Sequence, residues 1–162
     1  MPIYNKHQYL LRSIGSILNQ RLKDIEIIPV NDASTDNTLY ELKKLAKKDI
    51  RIKIVNNDRN NGLLYSRTMG IINCTGEYMM NLDPDDRLDG IDNLEFLYNT
   101  SKSSDLDFIR YLIKIIPLNE AEVKRVDNLI KINLKKDYLI TNKFIKKKIF
   151  LSAYETFKNK IY

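Results

Sequence analysis

Apolar positions along the first 110 residues switch repeatedly between two periods. Within residues 7–20, Leu10, Leu11, Ile14, Ile17 and Leu18 fall at helical spacing and predict one buried stripe. Residues 25–30 form a short β-branched run, read as a strand buried on both faces. Residues 31–38 gather turn and N-cap types and open a helix carrying Leu39, Leu42, Leu45 and Ala46. Thr38 and Glu41 have the spacing of a capping box at its start. Ile50, Ile52 and Ile54 alternate with Arg51 and Lys53, which predicts a strand. After a polar loop at 56–62 come a helix to about Asn73, a turn at Thr75-Gly76 and a strand over 77–82. A helix near 91–100 is expected to bury Ile91, Leu94 and Leu97, and a strand near 107–116 stops at Pro117. Strand–helix alternation of this kind implies an α/β fold with a mainly parallel sheet flanked by helices. Beyond Pro117 the pattern weakens, with a candidate strand at 128–133 and a candidate helix at 142–159.

Composition narrows the class. A chain of 162 residues, 43% hydrophobic, is long enough to bury one ordinary core and too apolar for disorder. No apolar run approaches a membrane span and no secretory h-region follows Met1, so a soluble, cytoplasmic domain is expected. The single cysteine, Cys74, excludes an internal disulfide, and the single histidine, His7, excludes a histidine metal cluster. His7 reads as solvent-facing and Cys74 as a small buried residue. The net charge of +6 sits in the second part of the chain, where residues 101–162 carry 14 basic and 7 acidic side chains. Lys146, Lys147 and Lys148 read as the solvated face of a helix, and no nucleic-acid partner is expected from them.

Candidate chemistry lies in two acidic clusters after predicted strands, where ligands bind in open α/β sheets. Asp32 and Asp36 follow one strand; Asp83, Asp85 and Asp86 follow another. Three carboxylates within four residues repel one another, and the one-residue separation of Asp83 and Asp85 suits a hard cation such as Mn²⁺ or Mg²⁺. The same residues also fit helix capping and a solvated loop, and spacing alone does not decide between these readings.

The order of motifs is more specific than any one of them. Pro2-Ile3-Tyr4-Asn5, Ser16-Ile17-Leu18-Asn19-Gln20, and Asn31-Asp32-Ala33-Ser34-Thr35-Asp36 are followed by Asn61-Gly62, Ser66-Arg67, Gly76-Glu77-Tyr78 and Leu82-Asp83-Pro84-Asp85-Asp86. This series resembles the donor half of family 2 glycosyltransferases, enzymes of the GT-A fold that use nucleotide-diphosphate sugars. The resemblance implies a nucleotide-sugar site, most simply for a UDP-sugar, in which Tyr4 and Asn5 lie at the base, Asp32 hydrogen-bonds it, and Arg67 stands near base and diphosphate. It implies that Asp83 contacts the ribose or the metal and that Asp85 is the direct metal ligand. The expected activity is transfer of the sugar to an unknown acceptor. The alternative is a binding module that holds the nucleotide sugar and transfers little.

Two departures accompany the resemblance. Family members carry an apolar strand just before the Pro-Ile-Tyr-Asn motif, so the first strand of the sheet is expected to be largely missing, with residues 1–5 supplying a stub. An incomplete sheet of that kind is expected to favour self-association. Inverting members also place a catalytic carboxylate well downstream. Glu120, Glu122, Asp127, Asp137 and Glu155 match no such motif, so no base is assigned and the chain reads as truncated at both ends. Residues 1–110 are expected to form the nucleotide-sugar-binding half and residues 111–162 part of an acceptor-side half of the same domain.

Overall fold

A computed structural model describes residues 1–110, 143–149 and 151–152. In chain order the elements are β1 (Pro2–Ile3), α1 (His7–Leu18), β2 (Val30–Asn31), α2 (Thr38–Ala46), β3 (Val55–Asn56) and α3 (Leu63–Asn73). They continue with β4 (Tyr78–Met80), α4 (Asn93–Ser103), β5 (Phe108–Arg110) and β6 (Lys143–Lys146). The predicted strand at 128–133 lies outside the described residues.

The strands form two three-stranded sheets. In the first, β1, β2 and β3 run parallel with β2 central, Pro2 opposite Val30 and Val30 opposite Val55. The expected stub is present, and its ladder extends through Met1, whose nitrogen donates to the Ile28 carbonyl at 3.0 Å. In the second sheet β6 lies between β4 and β5, antiparallel to both. Pro29 leaves the run at 25–30 without a donor at one position, so regular pairing there is confined to β2 and an isolated bridge between Ile27 and Ile52.

Alternation along the chain leading into β2 sets the layers. Ile27 points to the side where Ile3, Leu10, Ile14, Leu42 and Ile52 form the main core under α1 and α2. Val30, of opposite parity, faces α3, where a Cβ on Gly70 would stand 3.4 Å from the Val30 side chain. Helices therefore cover both faces, as the α/β pattern predicts. The α1 stripe is narrower than read from the sequence, since Leu11 is 74% exposed. Ile91 precedes α4 and is exposed; Leu94 and Leu97 are buried as expected.

One sequence expectation is corrected. Residues 143–146 are a strand and not the start of a helix; helical turns begin only at Lys147. Phe144 is buried and stacks on Tyr78 at 5.0 Å, while the Lys146 side chain is buried and bridges Asp105 at 2.7 Å and Asp107 at 3.3 Å. A buried lysine needs such partners, and they lie some forty positions away, where local periodicity cannot register them.

Glu26 ties the two sheets together at one end. Its carboxylate accepts from Gly76 N at 2.7 Å, Thr75 Oγ1 at 3.0 Å, the Thr75 N–H and Lys53 Nζ at 2.8 Å. Burial pushes its carboxyl up, but these donors outweigh that and hold it at about 2. A carboxyl depressed on folding stabilises above its unfolded pKa, near 4.3, and that stability is lost as pH falls toward 2. We expect melting temperature to fall across this window in the wild type. In Glu26→Gln the melting temperature should be lower at pH 7 and the acid slope visibly flatter, checked by thermal denaturation from pH 7 to pH 2.

Candidate functional site

A cavity of about 320 Å³ opens where β1 and β2 end. Its walls bring together Tyr4, Lys6, Asp32, Ser66, Asp83 and Asp85, drawn from positions spread over 80 residues of chain. The parallel pairing of β1 with β2 puts Tyr4 and Asp32 side by side just past the strand ends. The segment after β4 supplies the other acids of the lining, Asp83 and Asp85.

Asp32 is 4% exposed and anchors the following loop. Its Oδ1 accepts from Asn57 Nδ2 at 2.8 Å and Asn61 N at 3.0 Å, and its Oδ2 accepts from Gly62 N at 2.8 Å. Gly62 adopts φ +85, a conformation natural to glycine, which turns its N–H back toward the carboxylate. Burial raises the Asp32 carboxyl, yet the Asn61, Asn57 and Gly62 donors win and hold it below the usual range. The Ser66 side chain, which also lines the cavity, adds a further hydrogen bond to this carboxylate.

Other predicted residues are placed around this wall. Tyr4 is exposed at the rim. Asn5 sits at φ +51 and braces the 31–38 loop, its Oδ1 accepting from Thr35 N at 2.8 Å and Asp36 N at 3.3 Å. Asp36 caps α2 by accepting from Thr38 N at 2.9 Å and pairs with exposed His7 at 2.8 Å. The Thr38–Glu41 capping box does not form, because the Thr38 hydroxyl accepts from Lys6 N instead.

On the acidic wall, Asp83 accepts from Arg67 Nη2 at 3.0 Å. Arg67 is itself largely buried behind Asp83 and does not line this cavity. Asp85 pairs with Lys6 Nζ at 2.9 Å, and its carbonyl accepts from Arg12 Nη2 at 2.7 Å. Partial burial, then Asp83 and Asp85, push the Asp86 carboxyl up, the mark of concentrated negative charge. Among the described residues no three His, Cys, Asp or Glu side chains converge on one point. A hard cation here would be held by Asp83 and Asp85, both oxygen donors suited to it, with its other positions open to phosphate oxygens or water.

Sequence reasoning did not single out Lys6, Asn57 or Arg12. Each acts through a partner at least 25 positions away, and no local pattern announces it.

The description "Glycosyl transferase family 2" matches residues 1–159. The chain belongs to this family. A cholesterol galactosyltransferase of Borreliella burgdorferi is 35% identical over 97% of this chain and 42% of its own length. Two solved structures share the fold. S. aureus TarS in complex with UDP has a TM-score of 0.67 at 22% identity, covering 73% of this chain and 35% of that one. The mannosyltransferase PcManGT of Pyrobaculum calidifontis, in complex with GDP-Man and Mn²⁺, has a TM-score of 0.64 at 20% identity, covering 70% and 34%. The chain spans less than half the length of the curated relatives it matches. The fold is thus that of the GT-A glycosyltransferases. Among the described residues no helix is long and apolar enough to cross a membrane.

Proposed function

We propose that this chain supplies the donor side of a glycosyltransferase, binding a UDP-sugar in the cavity beyond β1 and β2 and passing the sugar to an acceptor. The observation that carries this reading is that Asp32, Asp83 and Asp85 line one cavity. Asp32 accepts the uracil imide N–H, which distinguishes uracil from cytosine, whose ring nitrogen carries no proton there. Tyr4 covers the base at the rim. Asp83 and Asp85 hold a divalent cation, Mn²⁺ or Mg²⁺, which when bound offsets the charge building on the departing diphosphate. The binding of UDP by TarS and of GDP-Man with Mn²⁺ by PcManGT supports the donor class.

Lys6 fits the same chemistry. Its hydrogen bond to Asp85 raises its pKa, so it is held charged beside the cavity and balances Asp85 when no cation is present. The acids that match no base motif, Glu120, Glu122, Asp127, Asp137 and Glu155, lie outside the described residues, and no base is assigned.

Calorimetric titration with UDP, CDP and GDP, each with Mn²⁺ and with a chelator, tests the proposal. UDP should bind, more tightly with Mn²⁺ and more tightly than CDP. Absence of heat for all three diphosphates in both conditions would overturn it.

A further inference from the structure

Each of the three carboxylates beyond β4 already has a cation of the protein beside it. Asp83 holds the Arg67 guanidinium, whose Nη2 lies 3.0 and 3.3 Å from its two oxygens. Asp85 holds the Lys6 ammonium at 2.9 Å. Asp86 feels the charge of Arg12, whose guanidinium is fixed on the Asp85 carbonyl at 2.7 Å. The acids are therefore balanced from within the chain. A divalent cation on Asp83 and Asp85 would face these positive groups across a few ångströms, and one of them has to give way.

Burial and side-chain chemistry decide which one. The Arg67 side chain is 13% exposed and reaches both oxygens of Asp83, whereas that of Lys6 is 37% exposed. Among the described residues the Lys6 ammonium has one hydrogen-bond partner, Asp85. A compact ammonium on a flexible stem moves more readily than a buried planar guanidinium. Arg12 binds a carbonyl and does not contend for a carboxylate. Lys6 is the group that yields.

The surroundings of Lys6 also indicate where its charge goes. Among the described residues it is the only basic side chain lining the nucleotide-sugar cavity. Its main chain is anchored, since Lys6 N donates to Thr38 Oγ1 at 3.0 Å, so the stem swings from a fixed root. The ammonium lies 5.3 Å over the Tyr9 ring, a surface on which it can rest off the carboxylate. A diphosphate in the cavity offers it charged oxygens once Asp85 is taken.

We propose that Lys6 is an exchangeable counter-ion: it gives up Asp85 to the divalent cation and turns its ammonium to the donor's diphosphate, so that metal and donor bind with positive coupling. The inference rests on the donor reading proposed above and adds an order to it. Asp83 and Asp85 hold the metal weakly until a diphosphate is there to receive Lys6. Such coupling is reciprocal, so the factor by which UDP tightens Mn²⁺ is the factor by which Mn²⁺ tightens UDP.

Mn²⁺ binding to the 162-residue chain, read by electron paramagnetic resonance of the free ion, tests the exchange. It is measured without nucleotide and at saturating UDP for wild type, Lys6→Met and Lys6→Arg. Lys6→Met removes the charge and leaves the main-chain anchor on Thr38 in place. It should tighten nucleotide-free Mn²⁺ binding by about five-fold, the upper end for release of an exposed ion pair. At saturating UDP its Mn²⁺ affinity should stay within about two-fold of wild type, so the coupling falls by the difference. Calorimetric titration of UDP with Mn²⁺ and in chelator reads the same loss from the other side. Lys6→Arg, which keeps the charge, should retain most of the coupling. Equal nucleotide-free Mn²⁺ affinity in wild type and Lys6→Met, absence of binding to both included, would overturn the proposal. So would tightening by one factor with and without UDP, the signature of a lysine that repels the cation and exchanges with nothing. Failure of UDP to bind the wild type overturns the donor reading and this inference with it, and shows before any substitution is made.

Discussion

Asp85→Ala should abolish the Mn²⁺-dependent part of UDP affinity while leaving the metal-independent part intact. Asp83 and Asp85 are the two carboxylates that line the nucleotide-sugar cavity on its acidic wall, so losing one halves the protein's contribution to the cation. Loss of a partner that only orients a ligand costs about 10–100-fold in metal affinity, and loss of the ligand itself should cost at least ~100-fold. The same substitution frees Lys6, whose ammonium then lies beside the cavity with no anion at Asp85. Metal-free UDP binding should therefore hold steady or tighten slightly. Asp86→Ala should have the smaller effect, because Asp86 is outside the cavity lining. Calorimetric titration of UDP at saturating Mn²⁺ and in chelator separates the two components. Equal affinity of wild type and Asp85→Ala at saturating Mn²⁺ would remove Asp85 from the metal site.

Asp32→Ala should damage stability and base recognition together. Three donors, from Asn57, Asn61 and Gly62, lose their acceptor in one step. Hydrogen bonds to a charged group are each worth about 1.5–3 kcal/mol; because the half-buried Asn61 and Gly62 amides recover part of this from water and buried Asn57 keeps Ser66, we expect a net loss of roughly 3 kcal/mol. For a chain of this size that corresponds to a fall in melting temperature of roughly 10 °C. UDP and UMP should weaken alike, since the base contact does not involve the metal. Asp32→Asn keeps an acceptor for Asn57 and Asn61 but turns an NH₂ toward Gly62 N, so it should recover only part of the stability. Unchanged UMP affinity in a folded Asp32→Ala or Asp32→Asn protein would leave Asp32 as a loop anchor alone.

Much of the α/β plan is legible in the sequence because its signals are local. The helical stripe of Leu10 and Ile14 predicts its own element, whereas the alternation around Ile52 yields a single bridge to Ile27, regular pairing beginning only at Val55–Asn56; all three residues are buried in one core. The acidic clusters are legible too, since Asp32 and Asp83 each follow a strand signal, but β2 and β4 lie in different sheets and their meeting at one cavity is not written in either signal. What escapes is whatever depends on distant partners. Lys146 reads as a solvated helical lysine until Asp105 and Asp107 are placed against it. Leu11 and Ile50 complete apolar patterns yet stay exposed, because an amphipathic period does not say how wide the covering surface is. Arg67 is legible as a basic residue near the acidic motif, but its position behind Asp83 follows from how α3 meets the segment after β4.

The division of the strands into two sheets also bears on how the molecule comes apart. A continuous sheet transmits order from strand to strand, so that opening one costs the pairing of all. Here β1–β2–β3 is sealed under α1 and α2, whereas β4–β6–β5 shares no ladder with it among the described residues and is held to it by side chains: Glu26 at one end, and Lys6, Arg12, Gln20 and Arg67 on the segment from Asp83 to Leu94. Opening of the second group would leave the ladder of the first intact, so the two are expected to open as separate cooperative units. Asp83 and Asp85 follow directly from β4 yet are pinned to Arg67, Lys6 and Arg12, so the acids of the cavity bridge the two units while Asp32 belongs wholly to the first.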